Sequence, residues 1–283
     1  MTKPRSPRLF HRRRLALGSI AILGVLVAHP ASAEICSVGP AADAARNAAS
    51  FQTLAVAPFH RPEIGWAPYE AWIKSDIGAG CSALTPGFAR ALARFRAAHG
   101  MGVGGAMDVA TLAALNQIWT SRRPFVRISK LACPAPPSEA TLWRATPAES
   151  YGGKTIELRP RVLAAYRRMV AAARAAGVTA GDPYLLTIFS GYRSSISDAV
   201  RCVMERNCGG VTRASCSAHL TGLAMDLDLG SAPGDRVDST DDANRLYMTR
   251  TPAYRWLVAN AGRFGFVNYV FEPWHWEWTG EAP

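Results

Sequence analysis

The chain is 283 residues long and 49% apolar, with 32 Lys and Arg against 21 Asp and Glu, a formal charge of +11. That length and apolar share can bury a core, in one large or two modest domains. No DNA- or RNA-binding motif accompanies the positive charge, which argues against a nucleic-acid partner.

Residues 1–33 have the order of a secretory signal: basic residues from Lys3 to Arg14, an apolar run from Leu15 to Ala28, and a small-residue cleavage site at Ala31-Ser32-Ala33. The apolar run is too short to span a bilayer comfortably. Cleavage there starts the mature chain at Glu34 and leaves 26 basic against 21 acidic residues, a balance of +5. Such an excess suits association with anionic cell-wall polymers. Glu34 and Ile35 are wrong for a lipobox before Cys36. The expectation is an exported protein, periplasmic or extracellular, with no stable membrane insertion once the signal is removed. All six cysteines follow the signal, as suits an oxidising compartment and paired thiols. Cys36, Cys81 and Cys133 form one set and Cys202, Cys208 and Cys216 another. Full pairing needs an odd number of bridges between the sets, with Cys133 the candidate for the crossing.

Residues 34–120 are expected to form a small helical domain, although the alanine-rich stretch before Phe59 says little. Thr85-Pro86 starts a helix in which Phe88, Leu92 and Phe95 recur at helical spacing until Gly100, and a second short helix runs through Thr111, Leu112 and Leu115. The order of an aromatic, a glycine turn, Asp, Thr-Leu and a last Leu resembles the helical peptidoglycan-binding repeat found beside wall hydrolases. Arg96 stands where that family usually has Gln, and Gly104-Gly105 where Asp-Gly is commoner. Residues 121–140 carry four prolines and read as an extended linker.

Residues 141–283 alternate helical and strand patterns. Leu163, Tyr166, Val170 and Ala173 share one helix face, with Arg161, Arg167, Arg168 and Arg174 on the other. Strands are expected at Tyr184–Phe189, Leu223–Leu229, Phe264–Phe271 and in the tryptophan-rich tail, with a helix at Trp256–Ala261. The fold class is therefore α+β: a small antiparallel-sheet domain preceded by a small helical domain.

Two stretches carry chemistry, SAHLTGLAMD from Ser217 to Asp226 and EPWHWEW from Glu272 to Trp278. Catalytic zinc takes three protein ligands, an open position for water, and a base that is not a ligand. His219, Asp226 and His275 can supply the ligands and Glu272 the base. Of the four histidines after the signal, His60 and His99 have no such company. Asp226 and Asp228 share one face of a regular strand, so either could be the ligand. The same parity puts Glu272 and His275 on opposite faces, which a shared site forbids; Pro273, lacking a backbone donor, gives reason for irregular geometry. Arg193 suits a carboxylate or a developing oxyanion. Cys216 is a thiolate alternative, set against a disulfide role. Trp274, Trp276 and Trp278 read as core, with Trp274 also able to line a substrate pocket beside the metal.

In that order, SGYRS, SAHLTGLAMD, WLVANAGRFGF and EPWHWEW resemble the VanY-type zinc D-alanyl-D-alanine carboxypeptidases, within a fold group shared with the VanX dipeptidases and hedgehog proteins. The resemblance covers roughly Thr141 to Gly280. It implies Zn2+ held by His219, Asp226 and His275, Glu272 as catalytic base, Arg193 as the substrate and transition-state contact, and Ser217 as a polar residue on the substrate side. Asp198 lies near where the family often has Gln, and a cysteine-bearing insertion spans Cys202 to Cys216; both departures bear on the substrate pocket and not on the metal. The implied function is an exported zinc peptidase that trims the terminal D-alanine of peptidoglycan stem peptides, using zinc-activated water. The alternatives are an endopeptidase on the same site and a non-catalytic wall-binding protein with structural zinc. Oligomeric state has no signal in the sequence.

Overall fold

In this computed structural model the described residues are 35–58, 61–129, 134–204, 206 and 217–281. The signal-like residues 1–33, His60, Cys133, Cys208 and Cys216 lie outside them.

The first helix, α1 (Ala41–Ser50), buries Asp43, Ala44 and Asn47. The sequence gives no clear sign of it, because two of its inward residues are polar. They serve the glycine turn: Asp43 and Asn47 take the N–H groups of Gly105 and Met107, and Asn47 donates to the Gly105 carbonyl at 2.9 Å. Only glycine fits at position 105, where a Cβ would lie 1.9 Å from the Ala89 carbonyl oxygen. A short antiparallel ribbon, β1 (Ala55–Val56) with β2 (Glu63–Ile64), precedes α2 (Glu70–Ile77).

Then come α3 (Pro86–Ala98) and α4 (Val109–Ser121). Thr85 caps α3 by accepting from the Phe88 N–H at 3.3 Å, and Asp108 caps α4 by accepting from Thr111 at 2.8 Å. With that cap α4 runs to 13 residues, longer than the short helix expected. Arg96 bridges the two helices, donating to the Asp108 carboxylate and to the carbonyls of Ala106 and Met101. Cys36 and Cys81 are bridged, so this pair lies within the first cysteine set; Cys202 is also disulfide-bonded.

The expected linker contains a helix, α5 (Pro124–Ser129). Pro124 is its first residue, where a missing N–H costs nothing, so the proline begins the helix instead of preventing it. A second ribbon, β3 (Trp143–Arg144) with β4 (Glu157–Leu158), leads to α6 (Pro160–Ala175). That helix buries Leu163, Tyr166, Val170 and Ala173 and exposes its arginines, as the periodicity predicts.

The remaining elements are β5 (Ile188–Ser190), α7 (Ser195–Met204), β6 (Ala224–Leu227), α8 (Asp242–Met248), α9 (Pro252–Asn260), β7 (Phe266–Tyr269) and β8 (Glu272–Trp278). Four of them form an antiparallel sheet in the order β5-β6-β8-β7. The first strand is shorter than the sequence suggests because Leu186 turns the backbone into the left-handed region, φ 69°. Burial explains why a leucine is held there: Leu186 is fully enclosed, its N–H donates to Asp228 O at 2.7 Å, and its carbonyl accepts from the Tyr166 hydroxyl at 2.9 Å.

Glu34–Pro283 forms one compact unit with a continuous hydrophobic core. Tyr69 meets Tyr254 edge-on and Trp72 meets Trp276, both with ring centroids 6.4 Å apart. Beside them Arg245 of α8 makes a buried ion pair with Glu63 of β2. Among the described residues no helix is long and apolar enough to cross a membrane.

Candidate metal centre and active site

Strand register assembles the centre. Ser190 opposes Asp226 across β5 and β6, and Asp226 opposes His275 across β6 and β8, so one row of the sheet carries all three. His219 arrives from a one-turn helix, Ala218–Thr221, just before β6. The Ser217 hydroxyl accepts from the His219 N–H at 3.2 Å, and Gly222, at φ 69°, closes the turn. Asp226 Oδ1 lies 3.2 Å from His219 Nε2 and 3.0 Å from His275 Nδ1, and one ligand atom from each of the three lies within 4.8 Å of the others. All three side chains are buried. Neighbouring ligands of a tetrahedral zinc, bonded at ~2.0–2.1 Å, stand roughly 3.3 Å apart, so the donor set and its spacing fit that ion.

Each imidazole is oriented from behind. His219 Nδ1 lies 2.7 Å from the Gly191 carbonyl, which fixes its hydrogen there and turns the Nε2 lone pair to Asp226. His275 Nε2 lies 3.3 Å from Glu277 Oε1, leaving Nδ1 for the Asp226 side. Charge follows this arrangement. Burial and the Arg193 charge push His219 down to about 4. Burial also opposes charge on His275, but hydrogen bonds with Asp226 and Glu277 overcome it and hold the ring up at about 9. Asp226 would be raised by burial; the two histidines hold it well below the carboxylate range instead.

A bulge answers the parity problem at Glu272. Asn268 pairs with Trp276 while its neighbour Tyr269 pairs with Glu272, so Pro273 to His275 have no partners on β7. The Asn268 side-chain amide fills the gap, donating to the carbonyls of Glu272, Pro273 and His275 at 3.3, 3.1 and 2.7 Å. Tyr254 holds it from the other side, its hydroxyl donating to Asn268 Oδ1 at 3.0 Å. The break frees Glu272 from the regular alternation. Glu272 is half-buried; burial raises its carboxyl above the usual range, with His275 opposing and Asp226 adding to the rise.

Residues 155–281 match the VanY family, described as D-alanyl-D-alanine carboxypeptidase. This stretch is a VanY-family domain. No curated protein matches the chain. Among solved structures, the LdcB LD-carboxypeptidase is 26% identical with a TM-score of 0.33, the match covering 44% of this chain and 60% of that one. A VanY D,D-pentapeptidase from a VanB-type resistance cassette, solved with Zn(II), is 24% identical over 52% of this chain and 83% of its own, TM-score 0.31. DacB from Streptococcus pneumoniae D39 is 22% identical over 53% and 88%, TM-score 0.30. With scores this low, the assignment of residues 155–281 rests on the sequence match alone.

Within the VanY domain Arg193 is tightly held. Its Nε donates to Asp198 at 2.7 Å, its terminal nitrogens donate to Ser190 and, at 3.2 Å, to Ser217, and one of them stands 3.8 Å from Asp226 Oδ2. Its backbone N–H donates to His219 O at 3.3 Å, so the SGYRS and SAHLTG segments interlock. Trp274 lies in the hydrophobic core at 6% exposure, together with Trp276 and Trp278. Asp228 is separate from the metal group and accepts from the Gly230 N–H at 2.8 Å. His99 lies back on its own helix, its Nδ1 2.8 Å from Phe95 O. Cys216, the thiolate alternative, and His60 are outside the described residues. Sequence reasoning missed Asn268, Glu277 and Arg123; two of them are polar residues inside otherwise apolar strands, which was the available signal.

Proposed function

We propose that the protein is an exported zinc carboxypeptidase that removes the terminal D-alanine from peptidoglycan stem peptides. The observation that carries this reading is the buried His219, Asp226 and His275 group inside the VanY domain, with Glu272 and Arg193 in its electrostatic field. Zinc held by these three residues supplies Lewis acidity, polarising a carbonyl and acidifying a water. Glu272 takes the proton of the attacking water on its carboxylate and returns it to the leaving amine. Arg193, its plane fixed by Ser190 and Ser217, faces the terminal carboxylate or the charge developing on the scissile carbonyl oxygen. Three ligands with a separate acid argue against a purely structural metal, which would have four protein ligands. The helical residues 34–120 would keep the enzyme on its polymer by raising effective concentration.

One observation favours a second reading, an endopeptidase. Asp198 already pairs with Arg193, leaving its guanidinium less charge to offer a substrate carboxylate. The test is release of D-alanine from a free pentapeptide stem and from its amide, beside cleavage of a cross-linked dimer. Amidation removes a charge-assisted contact on the order of 1.5–3 kcal/mol, so the carboxypeptidase should prefer the free acid by roughly ten- to a hundred-fold. Equal rates on acid and amide, or preference for the dimer, would transfer the assignment to the endopeptidase.

A further inference from the structure

We infer that Arg123 and Glu277 together hold His275 in its metal-binding orientation, so that an arginine outside the VanY domain completes the site. The inference rests on the zinc reading above. Glu277 lies two residues beyond His275 on β8, hence on the same face, and its Oε1 is 3.3 Å from His275 Nε2. That nitrogen is the one turned away from Asp226, so Glu277 is a partner of the ligand and not a fourth ligand. The same Oε1 accepts from Arg123 Nε at 2.6 Å, while Oε2 accepts from the Phe125 N–H at 3.0 Å. Arg123 also lies over the Tyr269 ring, 3.8 Å from its centroid. The Arg123 and Glu277 side chains are 9% and 2% exposed.

The two imidazoles therefore differ behind the metal. His219 leans on a neutral carbonyl, and His275 on a carboxylate, which fixes its tautomer more firmly and makes the ring a stronger donor. A carboxylate this deeply buried needs a partner of its own. Arg123, just before α5, provides it from a segment some 150 residues away in sequence. Glu277 and Arg123 are positioning residues: neither needs to touch substrate for the role.

The experiment measures zinc affinity by chelator competition in the mature-length protein, with metal-free melting and the visible spectrum of the cobalt-substituted form. Glu277→Gln and Arg123→Ala should weaken zinc by roughly 10- to 100-fold and shift the cobalt bands, with Arg123→Lys recovering part of the loss. Asp76→Asn is the control for general loosening. It removes the charge and one of the two carboxylate oxygens that accept from Trp119 Nε1 (2.7 Å) and from Arg122 in the same helical region, and should lower melting while leaving zinc affinity within about twofold. Unchanged zinc affinity in Glu277→Gln and Arg123→Lys would overturn the inference, as would Asp76→Asn weakening zinc as much as Arg123→Lys at a matched loss of melting. If Arg123→Ala does not fold, the other two variants decide. A wild-type protein that binds no zinc would instead overturn the metal reading, a separate result.

Discussion

His219 and His275 meet the same carboxylate oxygen and should answer the same substitution. Replacing either with alanine leaves two ligands, too few for a catalytic zinc, and dialysed His219→Ala and His275→Ala proteins should carry far less than the one zinc per chain expected of the wild type. Metal analysis checks this, and full occupancy in both variants would remove them from the site. Glu272→Gln should behave otherwise: zinc retained, turnover reduced by roughly 10²- to 10⁴-fold, as for loss of a general base. That His219, Asp226 and His275 would come together was legible because histidine and aspartate inside apolar stretches need a partner. The choice between Asp226 and Asp228 was not legible in strand parity, which treats them alike; the VanY resemblance pointed to Asp226. Register settles the geometry, putting Asp226 opposite His275, while Asp228 serves the turn at Gly230.

At the scale of elements, the bulge of β8 depends on one side chain. Asn268 donates to three carbonyls around the break, one of which, Pro273 O, also accepts from Trp276 Nε1 at 3.0 Å, so Asn268→Ala should cost ~2–3 kcal/mol and, in a chain of this size, lower melting by roughly 5–10 °C. It should also reduce activity beyond the loss in folded population, because Glu272 and His275 both flank the gap. Activity equal to wild type after correction for folded fraction would deny Asn268 that role. Pro273 hinted at irregularity from sequence, but a bulge this size was not readable: its length is set by where β7 resumes pairing.

A contact just ahead of the VanY domain is acid-sensitive. Arg167 of α6 donates to both oxygens of Glu149 at 2.7 and 2.9 Å, and the Thr146 N–H adds a third bond at 2.8 Å. These bonds, Arg167 foremost, outweigh burial and pull the Glu149 carboxyl from 4.5 down to about 2. A folded-state value below the unfolded one means stability present above pH 4.5 and lost as pH falls towards about 2. Glu149→Gln should therefore melt earlier than wild type at neutral pH, by roughly 1–2 kcal/mol after allowance for solvent screening, and the gap should close in acid. A gap that stays constant with pH would mean that ionisation of Glu149 contributes nothing.

For the whole molecule, the helical residues and the sheet share a core, and that decides what can be cut apart. The prolines between Ser121 and Ser138 suggested a linker, and composition gave no hint that Arg123 and Phe125 reach Glu277 or that Tyr69 and Trp72 reach Tyr254 and Trp276. Contacts between residues so distant in sequence leave no local pattern; helix faces and strand alternation do, which is why the elements were more legible than their assembly. A fragment of residues 141–283 would expose aromatic surface and leave Glu277 buried beside His275 without its cation. It should be poorly soluble and lack a cooperative melt, whereas residues 34–283 should melt in a single transition. A soluble fragment that binds zinc and melts cooperatively would show the helical part to be dispensable.

The order of strands has a consequence in time. β8 is made after β5, β6 and β7, yet it lies inside the sheet, between β6 and β7. Until residues through Trp278 have emerged, β6 and β7 have no common neighbour and His219 and Asp226 wait without His275. At synthesis rates of about 5–20 residues per second, the chain therefore spends several seconds after Asp226 with the metal group unfinished. On the function proposed above, the metal would be captured by a completed polypeptide, and the compartment in which folding finishes would set which cation it meets first.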